Sequence, residues 1–272
     1  MPPVARRRIV HVDHPKRQCL FCLSAEAPFT SEEHVIPRSL GPATDDYVIP
    51  PGGVCDLCNN WLGAQVDAPF VDRFDIRLTR GLEELRGRKG TLPNIIDGHN
   101  ATAKLDLELD GAKVTLYATE VEETADGGLD IELRPTVRDP PDVVARTIRA
   151  LWKMALGIIW LADQERALSR EWDHLRCGVL GYPINGYLLQ WPFTARITRR
   201  MDVNVSLEAP ESPVAMRFVL GGVALAVPIA QGARIARDEV TAAGWEIYTT
   251  DASPPRSVHL RLEPTEPDAM GA

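Results

Sequence analysis

The sequence predicts an α+β fold in two parts: a small metal-stapled ββα unit, then a larger mixed domain of antiparallel strands around a buried helix. Three observations predict it. Four of the five cysteines form two Cys-x-x-Cys pairs, Cys19/Cys22 and Cys55/Cys58. Apolar residues at Val144, Ile148, Leu151, Trp152, Ala155, Ile159 and Ala162 line one broad helical face. Strictly alternating runs such as Lys104-Leu105-Asp106-Leu107-Glu108-Leu109 read as half-buried strands.

Two-residue spacing lets both sulfurs of a pair turn toward one tetrahedral ion. The 32 residues between the pairs, 23–54, exceed the roughly 15–20 of a simple zinc ribbon, so a substantial segment is inserted there. Residues 1–12 hold no apolar core of signal-peptide length. The expectation is a cytoplasmic chain, in which paired Cys-x-x-Cys favours structural zinc over disulfides or a redox dithiol. Cys177, alone in helical surroundings, reads as a small core residue.

The inserted segment carries Glu32-Glu33-His34-Val35-Ile36-Pro37. Val35 and Ile36, closed by Pro37, read as a short strand ending in a turn. Asn59-Asn60-Trp61-Leu62-Gly63, directly after the second pair, opens a helix with Asn59 near its start. An ion on Cys55 and Cys58 fixes that helix start close to the strand carrying His34. A stretch too short to build its own core is well suited to such a staple.

The run Cys-x-x-Cys … Glu-His-Val-Ile-Pro … Cys-x-x-Cys-Asn resembles the HNH endonuclease superfamily, in its four-cysteine zinc-binding, ββα-metal branch. The resemblance covers roughly residues 17–65. It implies that His34 is the general base that activates a water. Glu33 and Asn59 would hold a catalytic divalent ion, Mg²⁺ or Mn²⁺, and Cys19, Cys22, Cys55 and Cys58 a structural Zn²⁺. DNA is the implied partner, and two subunits or two encounters are needed to cut both strands.

The residue types support this chemistry. A neutral imidazole, with an ordinary pKa of about 6.5, takes a proton from water near neutrality. A carboxylate and an amide suit a hard cation that keeps positions for water and phosphate. Two departures stand out. Glu33 occupies a position often held by Asp, and Glu32 beside it is either a solvated neighbour or the carboxylate that faces the ion. No Asn-Leu pair precedes the second knuckle, so a backbone carbonyl, Asp45 or Asp46 is left to orient His34.

The net charge of −8 is unevenly spread. Residues 1–90 balance 12 Lys/Arg against 12 Asp/Glu, and the remainder holds 18 against 26. Arg6-Arg7-Arg8, Lys16-Arg17 and the stretch from Arg73 to Lys89 each read either as a phosphate contact, which would be salt-sensitive, or as a plain solvated face. Arg38, one residue past Pro37, is a candidate substrate-binding side chain or a plain surface arginine. Trp61 reads as packing ahead of base stacking. His11 and His14 read as solvated strand-edge residues ahead of a second metal site.

Residues 59–87 read as helical through Val71, Phe74, Ile76, Leu78, Leu82 and Leu85, ending at Gly87-Arg88-Lys89-Gly90. Hairpins follow over residues 102–137, turning at Asp110-Gly111 and Asp126-Gly127-Gly128. Asp142 is the expected N-cap of the apolar helix. That helix is interrupted by Lys153 and too short to span a bilayer, so no membrane is expected. Residues 185–250 return to short strands, and the proline-rich tail after Asp251 is expected to be loosely ordered. The expected domains are 15–90 for the nuclease-like unit with its following helix and 91–262 for an α+β domain without a chemical signature, with loosely ordered termini at 1–14 and 263–272. Two other readings stay open: a zinc module that binds nucleic acid or protein without cutting, and a hydrolase of RNA or a small phosphodiester. By analogy alone, the two-part organisation suits a host-defence or mobile-element enzyme.

Overall fold

The structure, a computed structural model, describes residues 17–82, 85, 103–109, 112–118, 120–123, 125, 129–133, 142–184, 186–190, 204–207, 215–220, 223–231, 237–250 and 258–262. The N-terminal unit opens with the first cysteine pair and a two-residue strand, β1 (Glu33–His34). Two 3₁₀ turns lead to β2 (Val48–Ile49), which pairs antiparallel with β1, Glu33 opposite Ile49 and His34 opposite Val48. The strand thus lies two residues ahead of the expected Val35–Ile36, whose side chains instead enter the core.

Helix α1 (Asp56–Leu62) begins three residues before Asn59, so Cys58 sits inside its first turn. A π-helical turn (Gly63–Asp67) follows, then α2 (Ala68–Val71) and α3 (Phe74–Leu82). The single helix expected over 59–87 is therefore broken at residues 72 and 73, where Pro69 and the π turn have already loosened the register. Phe74, Ile76 and Leu78 are buried as their spacing predicted.

Beyond residue 90 come the hairpin β3 (Ala103–Leu109) and β4 (Ala112–Ala118), then β5 (Glu120–Glu123) and β6 (Leu129–Leu133). Helix α4 (Val143–Ala162) is followed by short helices α5 (Gln164–Ala167) and α6 (Asp173–Val179). The strands β7 (Tyr187–Gln190), β8 (Asn204–Leu207), β9 (Ala215–Leu220) and β10 (Val223–Pro228) come next. Helix α7 (Arg237–Ala242) and β11 (Glu246–Thr249) close the antiparallel sheet ordered β11-β7-β10-β9-β8. The tail after Asp251 is not loose throughout: β12 (Val258–Leu262) pairs with β6 in a three-stranded sheet. Alternating Val258, Leu260 and Leu262 supply the strand pattern that its prolines obscured.

Helix α4 joins the two parts. It is buried nearly all round, and of the expected apolar face only Ala162 is exposed. A Cβ on its Gly157 would lie 2.6 Å from both γ-methyls of Val35, so only glycine lets the helix ride directly against the residue after His34. On its other side Trp152 donates to the Pro228 carbonyl at 2.9 Å. Asp142 occupies the N-cap but makes no capping bond; its carboxylate pairs with Arg146 Nε at 2.8 Å. One hydrophobic cluster runs from Cys19 and Val35 through α4 to β9 and β10. Among the described residues no helix is long and apolar enough to cross a membrane.

Candidate active site

Backbone geometry builds the first knuckle. Cys19 N–H donates to Ser24 O at 2.8 Å and Leu23 N–H to Cys19 O at 2.9 Å, with Leu23 in the left-handed region at φ 59°. This tight loop turns Cys19 and Cys22 to one side. The second knuckle uses a helix start: Cys55 is the N-cap of α1, and Asn59 N–H donates to its carbonyl at 2.9 Å. Leu20 N–H donates to Gly53 O at 2.8 Å, which ties the two knuckles together. Arg176 Nε on α6 donates to the Leu20 carbonyl at 2.8 Å and braces them from behind.

The four sulfurs converge. All lie within 4.8 Å of one another, and Cys22 Sγ is 3.8 Å from Cys55 Sγ. A tetrahedron with arms of about 2.3 Å, the Zn–S distance, has edges of about 3.8 Å. None of the four is in a disulfide. Hydrogen bonding from Cys58 pulls Cys19 down to about 5, whereas burial pushes Cys22 up to about 11. Cys58 is pushed up chiefly by Cys19. Four thiols that compete in this way are positioned to bind a metal.

Helix α1 also holds the segment carrying His34. The Asp56 carboxylate accepts from Thr30 N–H and Thr30 Oγ1, both at 2.8 Å, and from Ser31 N–H at 3.0 Å. Asn59 Nδ2 donates to the Glu32 carbonyl at 2.8 Å. The amide end of Asn59 is thereby spent on the strand, and its Oδ1 is the end left for a ligand.

His34 is half-buried, and its Nδ1 is buried without a hydrogen-bond partner among the described residues. Burial, then the charge of Arg38, holds its pKa below the ordinary range, against an upward pull from Asp45. Neither Asp45 nor Asp46 makes a described bond to the ring. Asp45 instead lies 3.7 Å from Arg38 Nε in an exposed pair, the Arg38 side chain being 75 % exposed.

Glu33 faces the opposite way. Its carboxylate is buried, with Oε1 2.5 Å from Lys153 Nζ on α4. That contact is an ion pair at close range; the ammonium also donates to His34 O at 2.7 Å and to the Asp67 oxygens at 2.9 and 3.0 Å. Burial alone would lower Lys153, but Asp67 and Glu33 outweigh it and hold the ammonium above its ordinary value. Burial pushes both carboxyls up against the pull of the ammonium. As arranged, Glu33 is paired with Lys153 and is not an open ligand, while Glu32 is exposed.

Several other expectations change here. Arg73 and Arg80 are buried and bonded inside the protein, Arg80 Nε to Ser39 O at 3.1 Å, so they do not offer a phosphate-facing surface. Cys177 is exposed, because it falls on the outer side of α6 whose inner side carries Leu175, Arg176 and Val179. Trp61 packs against the core, as expected. His11, His14, Arg6-Arg7-Arg8, Lys16 and the break at 87–90 lie outside the described residues. Arg17 is described and stacks over Phe29 at 5.5 Å. Asp56, Asp67 and Lys153 were not singled out as site residues from sequence; the one available signal was a lysine inside the otherwise apolar run 151–162.

Comparison with known proteins agrees on the same segment. The family model described as HNH endonuclease matches residues 19–75, about a fifth of the chain, taking in all four cysteines, Glu33, His34, Asn59 and Asp67. No curated protein and no solved structure matches the chain. The converging cysteines and the strand around His34 are thus the part of this protein that matches the HNH endonuclease family.

Proposed function

We propose that the protein is a metal-dependent endonuclease that hydrolyses DNA phosphodiester bonds, with His34 as general base and zinc in the four-cysteine site. The observation that carries this reading is the half-buried ring of His34, on a strand held by α1 beside the converging cysteines. The neutral ring takes a proton from water at the nitrogen that water reaches, Nδ1 being buried. The water oxygen then bonds to phosphorus, the opposite phosphorus–oxygen ester bond breaks, and solvent protonates the leaving alkoxide. A bound divalent ion would draw off charge growing on the phosphate oxygens. Arg38, exposed one turn from His34, is the proposed phosphate contact.

The resemblance gives that ion to Glu33 and Asn59. Asn59 Oδ1 suits the role. Glu33 serves an ion only by sharing its carboxylate with Lys153, so exposed Glu32, whose carbonyl receives the Asn59 amide, is the favoured carboxylate. Loss of Mn²⁺ affinity in Glu32→Gln but not Glu33→Gln is the expected result, and the reverse would restore Glu33.

Cleavage of supercoiled plasmid with Mg²⁺, Mn²⁺ or EDTA tests the function. Metal-dependent nicked product is expected, with linear product only if two copies act together. Cutting of RNA alone would reassign the substrate. Binding without cutting of either nucleic acid would leave a zinc module that only binds.

A further inference from the structure

Lys153 is 0 % exposed on a helix whose neighbouring residues are almost all apolar. Burying an ammonium is costly, and an apolar side chain of similar volume would often serve stability equally well. Its contacts are concentrated on one small region. It bonds the carbonyl of His34 at 2.7 Å, from 119 residues away in sequence, and approaches the carboxylate of Glu33 at 2.5 Å. Its remaining protons go to both oxygens of Asp67.

Asp67 is the last residue of the π-helical turn Gly63–Asp67. Such wide turns are rare and recur at functional sites. Here the turn ends on the carboxylate that holds Lys153. One turn further along α4, Gly157 lets the helix touch Val35. The helix from beyond residue 90 therefore grips three consecutive residues, 33 to 35, of the strand that presents the base.

Taking the nuclease reading as given, we infer that Lys153 and Asp67 are positioning residues: the ammonium, aimed by Asp67, sets the strand and ring orientation of His34. A pair that served only to join α4 to the π turn would need no bond to the His34 carbonyl and no contact with Glu33. The consequence is that the candidate active site is completed by α4, which lies outside the segment 19–75 that matches the family.

The test uses the full zinc-loaded chain and two readouts. Labelling histidine carbonyls with ¹³C gives six signals, and His34→Ala identifies the one from position 34. In Lys153→Met that signal moves upfield as its hydrogen bond is lost. Plasmid kcat falls at least about tenfold, as expected when a base is displaced by a fraction of an ångström, with KM and zinc content unchanged. If Lys153→Met fails to fold, Asp67→Asn keeps the ammonium and predicts the same two changes in smaller measure. A folded variant with wild-type kcat, or with an unmoved His34 carbonyl signal, would overturn the proposal. A wild-type chain that cuts nothing would remove the nuclease reading instead, and the carbonyl signal would then decide alone whether Lys153 holds the strand.

Discussion

Two buried cations, Lys153 on α4 and Arg73 bonded to it through Thr147, are solved differently. Arg73 meets Asp75 in a two-pronged pair, Nε to Oδ1 at 2.8 Å and Nη2 to Oδ2 at 2.9 Å, and also donates to Thr147 at 3.1 Å and to Gln190. One cation faces one carboxylate, and neutral acceptors take the remaining protons. Lys153 faces two carboxylates and bonds the carbonyl of His34, whose Nδ1 has no partner among the described residues. The matched network joins Asp75 of α3, Thr147 of α4 and Gln190 of β7. The unmatched one lies under the candidate base. Among the described residues, two of the five buried polar atoms without a hydrogen-bond partner, Glu33 Oε1 and His34 Nδ1, fall on neighbouring residues here, as expected of a site kept for something other than stability.

The most complete way to break this comparison is to empty the four-cysteine site, which frames only the Lys153 side. Structural zinc supplies on the order of 10 kcal/mol to small units. Chelation or Cys58→Ser is expected to abolish amide protection over residues 17–62 while β9 and β10 keep theirs, as read by hydrogen exchange. Retained protection around Cys19 and Cys55 would mean that packing alone holds the unit.

Removing either cation comes next. Arg73→Met strands one carboxylate, Asp75, and Lys153→Met strands two, Glu33 and Asp67, so each is expected to lose at least about 3–5 kcal/mol in denaturant unfolding. Only Lys153→Met should lower kcat in the folded fraction. Equal kcat losses would erase the distinction between the two networks. Gly157→Ala forces a methyl against Val35 and should cost about 1–3 kcal/mol, with a kcat loss if α4 positions the strand.

Acid gives a smaller effect. His34 is depressed below its ordinary 6.5, chiefly by burial, so folding favours the neutral ring. That contribution is full above pH 6.5 and declines as pH falls below 6.5 toward the folded-state value. The acidic limb of kcat/KM should accordingly lie below pH 6.5, and a limb above it would contradict a depressed base. Smallest is Arg38→Ala: an exposed pair at 3.7 Å is worth about 0–1 kcal/mol. Its effect should appear in DNA affinity, reducing the salt slope by about 1 if Arg38 meets a phosphate.

The same contrast governs what could be read from sequence. Cys-x-x-Cys spacing and the run around His34 are local, because ligands two residues apart must share an ion, and they located the site. The alternating hairpins and the face of α4 were legible because their periods are local too. Lys153 registered only as an interruption in an apolar run, since its partners Glu33, His34 and Asp67 lie 86 to 120 residues away. Arg73 and Arg80 looked like a phosphate-facing stretch for the same reason: nothing nearby in sequence announces Gln190 or Ser39 as a buried acceptor. The inward turn of Glu33 follows from strand alternation, but which face of a two-residue strand is inside depends on α4.

The most direct test of the central claim is single-turnover cleavage of a labelled duplex by wild type and His34→Ala, both folded and zinc-loaded. Loss of a general base predicts a fall of about 10²–10⁴-fold in the cleavage rate, with DNA binding preserved. His34→Ala cutting at the wild-type rate would contradict the account.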